Sequence, residues 1–109
     1  MKRLTLITLG LLVAGTLSLR AAGAKETYAK DCAKCHGEDG KGKTKMGGRL
    51  GVKDFTEAAV QDKMKDSEMA KAIKEGVTRD DKKVMKSYGD TLSNDEIQAL
   101  VKYVRGFKK

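Results

Sequence analysis

Proline and tryptophan are absent from this 109-residue chain, which has only two Phe, three Tyr, two Cys and one His. Without proline-punctuated turns or a stock of aromatics, a β-sandwich is a poor description of it. Two cysteines make at most one disulfide, so the chain is not a disulfide scaffold. Large apolar residues are also scarce where a folded domain needs them. Of 43 residues in the AVILMFWYC class, 14 fall within the first 24 positions, and only 20 of the remaining 29 are Leu, Ile, Val, Phe, Tyr or Met. The 85 residues from Lys25 to Lys109 carry 35 charges. A single domain of that size buries only about 60–65% of its unfolded surface, and small scaffolds with thin cores recruit a metal, a staple or a partner. Something other than side chains is needed to fill the middle.

The first 24 residues have the layout of a secretory signal peptide. Met1-Lys2-Arg3 is a basic start, Leu4 to Leu19 is an uncharged stretch of 16 residues, and Ala22-Gly23-Ala24 is an A-x-A cleavage pattern. The apolar run is shorter than the ~20 residues a bilayer span needs, and Arg20 blocks its extension. The division expected is a signal peptide at 1–24 and a domain at 25–109, with a cut after Gly23 as the second choice and a retained anchor as the alternative. Cleavage removes Lys2, Arg3 and Arg20 and lowers the net charge from +8 to +5. The domain is then exported, to the periplasm, where free thiols do not persist unless something occupies them.

Along the domain, Glu26 to Lys34 holds good helix formers and stops at Gly37. Residues 37–51 contain six Gly and are expected to be loop. Phe55 to Met64 has room for one or two helical turns. Asp66 or Ser67 can cap a helix through Met69, Ala72 and Ile73 that ends at a left-handed Gly76. Val77 to Leu92 has no clear period and reads as a long ordered loop, which in a small domain is usually functional. Ser93-Asn94-Asp95-Glu96 is a capping box, and Ile97, Leu100, Val101 and Val104 follow at helical spacing. The pattern predicts an all-α domain with three main helices and short helical turns.

Cys32-Ala33-Lys34-Cys35-His36 is a C-x-x-C-H sequence, the attachment signature of c-type haem. On a helical turn, two Cys at this spacing reach the two vinyl groups on one side of a porphyrin, and the next residue brings imidazole to the iron. Three other readings compete. A thiol–disulfide centre belongs in a βαβ setting, and no strand pattern is visible. A zinc site wants four ligands, and two Cys with one His would have to borrow carboxylates. The last is an accidental motif with a structural disulfide. With His36 the only histidine, a bis-His haem is excluded, and the sixth position falls to Met, Lys or nothing. Met46 lies in the Gly-rich segment expected to wrap the His36 side, Met64 and Met69 read as core fillers, and Met85 lies in the long loop.

On these residues the chain resembles the small bacterial class I cytochromes c. "YAKDCAKCHGEDGKGK" resembles their N-terminal helix, haem motif and Gly-rich turn, "SEMAKAIKEGV" their middle helix, and "VMKSYGDTLSNDEIQALVKYVRGFKK" their axial-Met loop and last helix. The resemblance implies the small cytochrome c fold around one covalently bound haem c. In it Cys32 and Cys35 are bound to haem, His36 is the proximal ligand, Met85 the distal one, and Tyr28 and Tyr103 sit where the terminal helices cross. The family usually has Pro after the ligand Met and often another in the loop whose carbonyl holds the proximal His. Here Lys86 follows Met85 and neither Pro is present. The loop is correspondingly less stiff, and Lys86 or Lys83 can replace Met85 at high pH.

The function implied is a monohaem one-electron carrier and not an enzyme; the alternative is a haem protein with an open or labile sixth position, acting as sensor or enzyme module. His36 Nδ1–H is expected to donate to a backbone carbonyl between Met46 and Arg49. Lys30, Lys34, Lys41, Lys43 and Lys45 beside the motif, with Lys82, Lys83 and Lys86 beside Met85, suit redox partners with acidic docking surfaces. Nucleic acid is not expected as a partner, since basic residues alternate with acidic ones. The protein is expected to be a monomer that meets membranes only through partner complexes or an uncleaved signal. A core this thin leads to one prediction: the haem-free chain should be poorly folded. Circular dichroism of apoprotein should show no cooperative thermal transition, and a native-like melt would contradict the reading.

Overall fold

The computed structural model describes residues 22–109; the charged start and apolar run of the expected signal peptide lie outside that range. Among the described residues there are five helices and one two-stranded hairpin. Helix α1 covers 22–36. It was expected from Glu26 and begins earlier. Its middle, Tyr28–Cys32, is a π turn, closed by the Ala33 N–H on the Tyr28 carbonyl. Such wide turns inside helices tend to mark functional sites. The helix stops at Gly37, whose φ of 81° ends the α-helical path.

The stretch expected to be loop, 37–51, is loop only in part, because Lys45–Leu50 forms helix α2. The Thr44 hydroxyl accepts from Gly47 N–H at 2.8 Å and donates to the Cys35 carbonyl at 2.7 Å. One side chain therefore both caps α2 and ties it to the C-x-x-C-H turn. Gly47 lies so close to that turn that an added Cβ would overlap the carbonyls of Cys35 and Gly42. Gly40, at φ 74°, makes room for the ring of Phe107 in the same way.

Helix α3, Ala58–Lys63, fits the one or two turns expected. Helix α4, Asp66–Glu75, is preceded by Lys65 and has no side-chain cap. Asp66 instead lies in its first turn and takes the Arg105 Nε at 2.8 Å, so the expected cap is diverted to a tertiary ion pair. Gly76 has positive φ (76°), but with ψ −176° it is not the left-handed cap expected; that region is open essentially to glycine alone.

The expected long loop starts as a hairpin. Strands β1, Val77–Arg79, and β2, Lys82–Met85, pair antiparallel, with Arg79 opposite Lys82 and Val77 opposite Met85. Asp80 and Asp81 turn the corner at φ 50° and 61°, the positive values that a two-residue hairpin turn demands and that Asp tolerates. The domain is thus helical but not purely α. Residues 86–92 are neither helix nor strand. Helix α5, Asn94–Arg105, carries the full capping box: Ser93 accepts from Glu96 N–H and Glu96 accepts from Ser93 N–H.

Tyr28 of α1, Ile73 of α4 and Ile97, Leu100, Val101 and Val104 of α5 form the buried apolar cluster with Ala24. At the crossing of α1 and α5, Tyr28 lies 5.0 Å from Tyr103 and 5.2 Å from Phe107, ring to ring. The Tyr28 hydroxyl donates to the Gly37 carbonyl at 2.6 Å, fastening the helix to the turn that ends it. At the same C-terminal end of α5, Arg105 donates to the carbonyls of Gln61 and Met64, and buried Gln61 donates to those of Phe55 and Val104. The two glycines of α2 separate close approach from simple flexibility. Gly47→Ala should lower holoprotein stability by about 1–3 kcal/mol through overpacking, while Gly48→Ala, which meets only open space, should raise it by about 0.5–1 kcal/mol. Urea unfolding of both variants checks the pair.

Candidate haem site

The core cluster does not close on itself. Beside it lies a cavity of about 510 Å³, within the about 300–1,000 Å³ usual for cofactor and small-molecule sites. α1 brings Cys32, Cys35 and His36 to its wall, α2 brings Met46 and Leu50, and the hairpin brings Val77, Val84 and Met85. Ile73, Leu100 and Val104 of the core form the floor they share. All four residues singled out from the sequence as haem-binding, Cys32, Cys35, His36 and Met85, therefore face one space.

All four methionines of the domain do so as well, since Met64 and Met69 join Met46 and Met85 on the wall. The expectation that Met64 and Met69 only fill the core is too narrow. Phe55 and Tyr88, which no motif or periodicity marks, also line the cavity, from segments that are neither helix nor strand. The one available signal was composition: in a chain with so few aromatics, two stand in loops.

His36 stacks on Phe55, with ring centroids 4.9 Å apart and planes 21° from parallel. Burial lowers its pKa, which favours neutral imidazole, the form that ligates metals. The expected bond from Nδ1 to a carbonyl between Met46 and Arg49 is not made: Nδ1 is buried without a hydrogen-bond partner. That stretch is helical, and the Gly47 carbonyl already accepts from Gly51 and Val52. Burial, then Asp31 and Cys35, push the Cys32 thiol up to about 11. A redox C-x-x-C lowers its thiol pKa instead, so the environment here argues against a thiol–disulfide centre.

The rim is basic. Lys34, Lys53, Arg79 and Lys86 are exposed and line the opening, against Asp31 and Glu68. Of the eight lysines expected around the site, only Lys34 and Lys86 are part of this lining.

These features fit haem. A flat apolar ring needs an apolar slot, its iron takes imidazole and thioether donors, and an imidazole that burial keeps neutral stands beside two free cysteines. The class defined is the c-type cytochrome. A family model described as cytochrome C oxidase, cbb3-type, subunit III, matches residues 20–104, and the chain belongs to that family. Among solved structures, the KustC0563 c-type cytochrome matches with a TM-score of 0.71 and 36% identity, over 79% of this chain and 98% of that one. A tyrosine-to-phenylalanine mutant of the same cytochrome matches with a TM-score of 0.69 and 34% identity, over 79% and 99% of the two chains. No curated protein matches. The chain is a small cytochrome c with covalently bound haem c, and its class carries electrons.

The Phe55 stack is testable in the holoprotein. Phe55→Leu keeps an apolar side chain but loses the ring pair, worth about 0.5–1.5 kcal/mol beyond area. Thermal unfolding should register a loss of that order, and the proton resonances of the His36 ring should shift.

Proposed function

We propose that this cytochrome is an exported one-electron carrier whose iron is held between His36 and Met85. The observation that supports it most is the meeting of Cys32, Cys35, His36 and Met85 on one apolar cavity wall. Cys32 and Cys35 would hold the haem covalently. Bound there, haem supplies a reversible Fe(II)/Fe(III) couple, with His–Met ligation and burial favouring the reduced state. The chain's own residues keep water out and hold both ligands in place. Met46 is the poorer distal candidate, because it precedes Gly47, which abuts Cys35 beside His36. Met85 reaches the cavity from the hairpin instead, a separate element anchored against Val77.

Export follows from the leader at 1–24, with the domain at 25–109 in the periplasm. A cut after Ala24 would remove that buried residue, whereas the second-choice cut after Gly23 would keep it in the core. No helix among the described residues is long and apolar enough to cross a membrane. The basic rim favours redox partners with acidic docking surfaces, met by a monomer.

The ligand assignment separates a carrier from a haem protein with an open sixth position. In the wild type a far-red methionine-to-iron band should be present in the ferric form, and the ferrous form should bind CO slowly. Met85→Ala should abolish the band and bind CO rapidly. A band that survives the substitution, or rapid CO binding by the wild type, would overturn the assignment.

A further inference from the structure

The segment that follows Met85 has no proline to stiffen it, and residues 86–92 have no regular structure. It is nevertheless tied down. The Tyr88 N–H donates to the Ile73 carbonyl at 2.9 Å and the Gly89 N–H to the Lys74 carbonyl at 3.0 Å, both in the last turn of α4. A third tie runs to a different element. The Tyr88 hydroxyl donates at 3.1 Å to the carbonyl of Asp31, the residue before Cys32 and part of the π turn. The Tyr88 ring lines the cavity between these two attachments, and the Lys86 ammonium lies 5.8 Å from its centroid.

We propose that Tyr88 is a positioning residue: its hydroxyl latches the strap that leads directly on from Met85 to the helical turn that carries Cys32. It holds the distal wall of the cavity against the wall bearing the thiols. The proposal rests on Met85 as distal ligand. Stiffness that related chains build into the backbone with proline is here supplied by a hydrogen bond between elements 57 residues apart. Tyr88 acts through the strap, not by bonding the iron.

An external ligand can displace Met85 only when the strap opens, so its apparent affinity scales with the fraction opened. Tyr88→Phe keeps the ring and removes the latch. Imidazole titrated into the ferric holoprotein should then bind about three- to tenfold more tightly than in the wild type, the worth of one such bond. Val101→Ala in the buried face of α5 should lower the thermal midpoint yet leave imidazole affinity at the wild-type value. On a Met85→Ala background, Tyr88→Phe should add no further affinity, because no strap bond is left to release. Wild-type affinity in Tyr88→Phe, an equal gain in Val101→Ala, or an undiminished gain on the Met85→Ala background would each overturn the latch. Survival of the far-red band in Met85→Ala would remove the ligand assignment itself, a failure distinct from that of the latch.

Discussion

An apolar cavity beside a core of seven buried hydrophobic residues is the constraint on which the rest of this domain depends. Leaving such a space to water would forfeit the contacts that normally stabilise an interior, and a chain this charged has little other apolar surface to bury. On the proposed placement the cofactor would be structural as well as chemical. Haem in this cavity would supply the apolar body that the side chains lack in a domain with neither a disulfide set nor a large core.

The surrounding elements can be understood as devices for holding that space open at the right width. Thr44 sets α2 against the C-x-x-C-H turn with a single hydroxyl, and Gly47 lets the two backbones meet. Tyr28 fastens the same turn to the crossing of α1 and α5. Arg105 and Gln61 fix α3 and the start of α4 to the end of α5 through bonds to backbone carbonyls. On the far side the hairpin presents Met85, and the segment that follows it is bonded to the last turn of α4 through Tyr88 and Gly89. A basic rim then surrounds an apolar interior, an arrangement in which the same opening can expose the cofactor and attract an acidic partner.

Much of this was legible in the residues. The Ser93–Glu96 capping box and the spacing of Ile97, Leu100, Val101 and Val104 locate α5 because both signals are local and periodic. The C-x-x-C-H run carries its chemistry in five consecutive positions. What escaped sequence reading depends on distant partners. α2 was hidden by its two glycines, whose cost in a helix is offset by a cap and a close approach to Cys35. The hairpin is short and mostly exposed, so it has no apolar alternation to betray it. The cap of α4 was misassigned because Asp66 is claimed by Arg105, 39 residues away. Phe55 and Tyr88 sit in irregular segments, where no periodicity marks a cavity wall. The expected bond from His36 Nδ1 is missing for a related reason: the carbonyls between Met46 and Arg49 belong to helix α2 and not to a loop.

Haem attached through Cys32 and Cys35 is the assignment to which the others are tied. Mass spectrometry of proteolytic fragments from the mature protein checks it. The fragment containing Cys32-Ala33-Lys34-Cys35-His36 should carry the mass of one haem and offer no thiol to alkylation. The same fragment recovered at its bare polypeptide mass, with both thiols alkylated, would contradict it.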